Sequence, residues 1–255
     1  MPPSGLDSRR KGQVELACLV LILLLALALW LAPWGQNRFL EDEALYSYWG
    51  QQIATGADPM LDEEPMDKPP LHPYTLALSF LLLSPPPGST AWSETAARLP
   101  SLFASLLVIA LTYALGRAFF DDSLVGLLAA LLLALAPFDI LFASTAFTDP
   151  LMTALVLAAL LAAAQGRWAA SGLLSGLAAA AKQQGLFFLP LIVAIGVLTS
   201  PRQLPASGSL RLKWLGWLSA RPWLRFALGL ALVAAAVLWW DLSRLQRPGF
   251  LEQSL

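Results

Sequence analysis

Apolar residues fall into runs that recur along nearly the whole chain, at residues 16–34, 99–118, 124–140, 148–164, 168–181, 186–198 and 223–240, and the charged residues gather between them. Crossing a hydrocarbon core of roughly 30 Å takes about 20 mostly apolar residues in a helix. The pattern therefore predicts an all-α polytopic membrane protein with seven spans. The runs 168–181 and 186–198 are short and would meet at the turn Lys182-Gln183-Gln184-Gly185. An eighth run, 71–83, gives only about 20 Å of helix and is bounded by Pro69-Pro70 and Pro85-Pro86-Pro87.

Charge decides whether that eighth run crosses. Basic residues favour the cytoplasmic side, and the densest group is Arg202, Arg211, Lys213, Arg221 and Arg225, with no acid among them. If 71–83 does not cross, Arg9-Arg10-Lys11, Arg117, Arg167 and that group all fall inside. If it crosses, every basic loop after it is thrown outside. The run is therefore expected to lie in the outer interface or re-enter it. The N-terminus is then inside, 35–94 is an outer loop, 200–221 is a cytoplasmic loop, and residues 1–255 form one transmembrane domain. The basic flank before 16–34 also has the form of a signal peptide, but the stretch is long enough to span and is read as a retained first helix.

Composition agrees. Of 255 residues, 57% are hydrophobic and 13% charged, against about 25% charged in an ordinary soluble domain. The ten tryptophans suit the zone where helices meet headgroups. A single cysteine, Cys18, excludes a disulfide framework within the chain, and a single histidine, His72, excludes a multi-His metal site. No basic run with interleaved aromatics points to nucleic acid.

The candidate chemistry lies in the loops expected outside. In "FLEDEALYSYWGQQIATG" the spacing predicts an amphipathic helix on the membrane surface, with Leu45, Trp49 and Ile53 on one face and Glu43, Ser47 and Gln51 on the other. Asp42 suits an N-cap there, but three consecutive acids exceed what a cap needs. In "DKPPLHPY", Lys68 is either a solvated partner of Asp67 or a cation held by prolines where a lipid phosphate would sit. Asp149 is either a helix cap ahead of Pro150 or a functional carboxylate at the membrane edge. Lys182 closes a helix, where a cation complements the dipole. For His72 local packing or a polar contact is expected.

Taken in order, "EDEALYSYW", "DKPPLHPY", "TDPLMTAL" and "GLLSGLAAAAKQQGLFFLP" resemble the N-terminal half of polyprenyl-phosphate-dependent glycosyltransferases of the GT-C fold. The closest in kind are dolichyl-phosphate-mannose-protein mannosyltransferase-like enzymes and bacterial aminoarabinose lipid A transferases. The resemblance implies a GT-C-like helix bundle in a bacterial or archaeal plasma membrane, with its active site outward. It implies a polyprenyl-phosphate sugar donor and a protein, lipid or glycan acceptor. Asp42 matches the family's proposed general base, with Glu43 beside it. Asp149 matches its second acidic motif, and Lys182 its Gly-rich, Lys-containing segment. Tyr46 also matches, while Leu45 stands where the family often has a basic residue, which puts more weight on Lys68 for the donor phosphate, with Tyr46 and Lys182. Family members continue with further spans and often an outer soluble domain, so the chain looks partial.

The implied reaction is one in-line displacement with inversion. A divalent metal held by Asp42 and Asp149 is left open, since paired carboxylates offer the oxygen ligands such an ion takes. Two rival readings stand beside the enzyme: a transporter or flippase of lipid-linked or anionic solutes, and an inactive scaffold of the same lineage. A transporter predicts charges near mid-span, whereas these cluster at span ends.

Overall fold

The computed structural model describes residues 5–34, 38–63, 66–86, 88–199 and 220–244. All but the last two residues of the expected loop 200–221 lie outside them. The regular structure of the described residues is all helical, with no strand: α1 (Gly5–Leu31), α2 (Glu41–Thr55), α3 (Leu71–Leu83), α4 (Thr90–Phe120), α5 (Ser123–Ala134), α6 (Pro137–Phe142), α7 (Asp149–Ala164), α8 (Trp168–Ala181), a 3-10 segment (Gln183–Phe188), α9 (Leu189–Thr199) and α10 (Ala220–Ser243). This is the all-α membrane bundle that the hydropathy pattern predicts.

Three helices are long and apolar enough to cross a membrane unaided: Arg10–Leu31, Thr90–Phe120 and Arg221–Ser243. The other apolar helices are shorter, 10–17 residues. Two of the expected runs are interrupted. The run 124–140 stops at Ala134 and restarts at Pro137, with Ala136 extended at φ −66°, ψ 123°. Proline disfavours a helical conformation in the residue before it, so the break falls where Pro137 puts it. The run 186–198 begins inside the 3-10 segment before α9 takes over.

Helix α4 starts at Thr90, well before the expected 99, and contains Pro100. Its 31 residues reach about 46 Å, so its first turns extend beyond a bilayer core and stand beside α2 and α3. Pro100 has no N–H, so the carbonyl of Ala96 one turn earlier loses its helical partner. Ser79 Oγ of α3 donates to that carbonyl at 2.6 Å, in a buried contact. The proline that would weaken α4 thereby ties α3 to it.

The faces of α2 differ from the expected ones. Glu43, Tyr46, Ser47 and Gly50 are buried along with Trp49 of the expected apolar face, while Leu45 is exposed. The buried positions follow the i, i+3, i+4, i+7 spacing of one helix stripe, but the stripe includes the polar side. The reason is what covers it. Helix α2 packs against α3 and α4 instead of lying on lipid alone, and a Cβ on Gly50 would come 2.8 Å from Leu76 Cβ.

The two ends of the bundle are chemically distinct. At one end Glu15 of α1 meets Arg117 of α4 at 3.4 Å, and Tyr113 donates to Glu15 at 3.4 Å. The opposite end collects α2, α3, the starts of α4 and α7, and the ends of α8 and α10. There Trp240 Nε1 donates to Tyr74 Oη at 3.0 Å, and Tyr74 donates to the Pro59 carbonyl at 2.8 Å. Arg244 donates through Nε to the Leu61 carbonyl at 3.2 Å, which fastens the segment between α2 and α3 to the end of α10.

Candidate active site

Antiparallel packing of α7 and α8 determines where Asp149 and Lys182 meet. Asp149 is the first residue of α7, and Lys182 closes α8, so the turn-in and turn-out of the hairpin lie side by side. Lys182 Nζ stands 2.6 Å from Asp149 Oδ1. Thr148, not Asp149, occupies the N-cap, and its side chain makes no capping bond. The carboxylate of Asp149 is therefore committed to a lysine of the neighbouring helix and not to its own helix end.

Asp42 also departs from the cap position. Leu40 is the N-cap of α2, and the capping bond runs from the Leu40 N–H to Glu43 Oε2 at 3.0 Å. Asp42, one residue before Glu43 and exposed, is left out of the cap. A cavity of about 360 Å³ is lined by Asp42 and Tyr46 of α2, Asp139 of α6, Asp149 of α7 and Lys182, with Phe138, Phe142 and Phe147 along its apolar part. Four of the six sequence-derived site residues are thus brought together: Asp42, Tyr46, Asp149 and Lys182.

Glu43 and Lys68 are placed elsewhere. Glu43 is buried and fully engaged: Arg98 Nε donates to its Oε1 at 3.3 Å, and the Ala146 N–H donates to the same oxygen at 2.9 Å. It does not line the cavity, and its bonds are those of an anchor. Lys68 pairs with Asp67 at 3.0 Å, with both side chains about half exposed, and it too is absent from the lining. Asp67 remains close enough for its charge to act on Tyr46, so this pair stands beside the cavity.

A clamp around residues 146–147 sets the distance between the two halves of the site. Glu43 accepts the Ala146 N–H, His72 Nε2 donates to the Ala146 carbonyl at 2.9 Å, and Ser101 Oγ donates to the Phe147 carbonyl at 3.0 Å. Three helices thus grip the two residues ahead of the N-cap Thr148, and Asp149 follows at a fixed place. His72 has the polar contact expected of it, and its ring meets Tyr46 edge-on at 5.3 Å.

The Tyr46 hydroxyl is pushed up to about 12, first by burial and then by the negative charges of Asp42, Asp67 and Asp149. It stays protonated at any ordinary pH and can donate a hydrogen bond into the cavity. Among the described residues no group of three or more His, Cys, Asp or Glu side chains is gathered to hold a metal ion. A divalent ion at Asp42 and Asp149 would also compete with the Lys182 ammonium for the Asp149 carboxylate.

Sequence reasoning passed over Arg98 and Asp139. Each carries a signal. Arg98 follows Glu94 by four residues, the spacing of an ion pair on one helix face, and the two approach to 3.9 Å. Asp139 is an acid inside an otherwise apolar run, which is costly and points to a role.

Residues 67–240 match the family model for dolichyl-phosphate-mannose-protein mannosyltransferase. No curated protein and no solved structure matches the chain. The matched range holds Lys68, Asp139, Asp149 and Lys182, while Asp42 and Glu43 precede it. With the match covering more than half of a chain that folds as a helical membrane bundle, this protein belongs to the dolichyl-phosphate-mannose-protein mannosyltransferase family of membrane glycosyltransferases.

Proposed function

We propose that the cavity transfers a sugar from a polyprenyl-phosphate donor to an acceptor hydroxyl, with inversion, at the extracytoplasmic face. The observation that carries this reading is the convergence of Asp42, Asp149 and Lys182 from three separate segments on one cavity. Asp42, exposed and outside the helix cap, is the general base. It takes the proton of the acceptor hydroxyl as that oxygen bonds to the anomeric carbon. The bond from that carbon to the donor phosphate breaks, and the polyprenyl phosphate leaves with the electron pair. General-base assistance of this kind contributes roughly 10²–10⁴-fold.

Lys182 is the principal partner of the leaving phosphate. Its ammonium has three donors, one of which serves Asp149, and the others remain for phosphate oxygens. Lys68 assists from outside the cavity through the approach of the donor headgroup. Asp149 holds the Lys182 ammonium in place, and the protonated Tyr46 hydroxyl supplies a further donor. The Arg117 end, with the basic N-terminal segment, faces the cytoplasm.

Two measurements test this reading. Transfer from a polyprenyl-phosphate mannose of known anomeric configuration should give the opposite configuration in the product, as read by NMR. Retention would exclude a single displacement. After replacing Cys18 with serine, single cysteines at Asp62 and Arg117 should label from opposite faces of intact cells. Labelling from the same face would overturn the orientation.

A further inference from the structure

We propose that Asp139, with the Phe138, Phe142 and Phe147 rings, forms the subsite that holds the pyranose ring of the sugar being transferred. This rests on the glycosyltransferase reading above and goes further by assigning a sugar-recognition residue and its ligand chemistry. Three observations support it. Asp139 lines the same cavity as Asp42, Asp149 and Lys182. Among the described residues its carboxylate has no hydrogen-bond or ion-pair partner, whereas Asp149 is paired with Lys182 and Glu43 with Arg98. Beside it the phenylalanines form a continuous apolar wall: Phe138 and Phe142 stack at 4.4 Å and 27°, and Phe142 lies 6.0 Å from Phe147.

The chemistry of such a pair of surfaces is selective. Once Asp149 and Lys182 offset one another, Asp42 and Asp139 leave the cavity acidic. A second anion has no favourable place on that side, but a neutral polyol does. Carboxylates only accept hydrogen bonds, so the matching ligand brings O–H donors. Aromatic ring faces carry negative potential and suit the apolar C–H face of a pyranose. A site with apolar walls and a few placed polar groups is the usual form of a small-molecule pocket, and about 300 Å³ is the lower end of their size range. This cavity, at about 360 Å³, accommodates a monosaccharide. The donor phosphate is then seated at Lys182 and the sugar hydroxyls at Asp139, with Asp42 free to act on the acceptor.

Pro137 creates this arrangement. It ends the extended break after α5 and starts α6, one short helix that brings Phe138, Asp139 and Phe142 to the cavity also lined by the start of α7. An unbroken span over 124–140 would give Asp139 no reason to exist, since a lone acid in an apolar helix is expensive.

The test compares binding of polyprenyl phosphate with binding of polyprenyl-phosphate mannose by the full chain in detergent. The parent should bind the mannosylated lipid more tightly. Asp139→Ala should bind the bare lipid phosphate like the parent and lose the advantage given by the sugar, roughly ten- to a hundredfold for hydrogen bonds to a charged group. Asp139→Asn keeps shape and one acceptor, so it should lose less. Phe142→Leu keeps apolar bulk without a ring face and should also reduce the advantage. Melting temperatures control for folding. If Asp139→Ala and Asp139→Asn retain the full advantage of the sugar, the subsite is overturned while the glycosyltransferase reading stands. If these variants lose affinity only for a glycosylated acceptor, the ring belongs to the acceptor and the donor assignment is overturned. If the parent binds neither lipid, the glycosyltransferase reading fails and the subsite with it.

Discussion

Lys182 Nζ stands 2.6 Å from Asp149 Oδ1, across 33 residues of sequence, because α7 and α8 run antiparallel and place the start of one beside the end of the other. The lysine that lines the cavity together with the candidate base Asp42 is Lys182 and not Lys68. Lys182→Ala should weaken donor binding and slow transfer together, by roughly ten- to a hundredfold for one charge-assisted contact. Lys182→Arg keeps the charge with a different shape and should recover only part. Lys68→Ala removes an exposed pair and should cost less than about 1 kcal/mol. Donor affinity and single-turnover rate for the three variants check this, and a larger loss at Lys68 than at Lys182 would reverse the assignment.

The Glu43–Arg98 pair is expected to act on architecture. Both groups are almost fully buried, and Glu43 also holds the Ala146 N–H. Removing one partner of a buried pair leaves the other charge uncompensated, at a cost of about 3–5 kcal/mol. Arg98→Met alone should therefore lower the melting temperature more than the double variant Glu43→Gln/Arg98→Met. If both variants melt alike, Glu43 does not depend on Arg98.

A second pair of variants tests how α4 tolerates its proline. Ser79→Ala leaves the Ala96 carbonyl without a donor, and an unsatisfied buried acceptor costs about 1–3 kcal/mol. With Pro100→Ala in place, a backbone N–H returns to that carbonyl, so Ser79→Ala should then cost measurably less. Equal costs in the two backgrounds would show that Ser79 contributes nothing through this bond.

How far the sequence reveals all this depends on the interaction. Membrane helices were legible because apolar length is a local property, and the acids and lysines at span ends were legible as misfits in that pattern. Partners were not. Nothing local in "EDEALYSYW" tells which of Asp42 and Glu43 faces a cavity. That follows from Arg98 and Ala146, which lie 55 and 103 residues beyond Glu43. The burial of the polar side of α2 has the same origin, since hydropathy assigns a helix face by lipid or water and α2 is covered by protein. The break before α6 was written in Pro137, but the hydropathy of the run concealed it.

Acid should weaken the fold through His72. Burial holds its ring down to about 4, against the ordinary 6.5, although the Ala146 carbonyl and the Asp149 charge both favour the protonated form. A depressed folded-state value means that this contribution to stability is present above about 6.5 and is lost as the pH falls toward 4. Melting temperature in detergent should be level above pH 6.5 and decline below it. His72→Gln should remove much of that decline. An unchanged decline in the variant would assign it to other groups.

The most direct measurement of the central claim is single-turnover sugar transfer by Asp42→Asn, with donor affinity measured on the same preparation. Asparagine keeps the shape of the side chain but cannot accept the acceptor's proton. Asp42 makes no capping bond whose loss would disturb α2, since Leu40 and Glu43 close that helix. The expected result is a fall in turnover of at least about a hundredfold, the lower end of general-base assistance, with donor affinity within a few-fold of the parent. Turnover close to that of the parent would contradict the account and leave Asp42 as an exposed acid at a helix start.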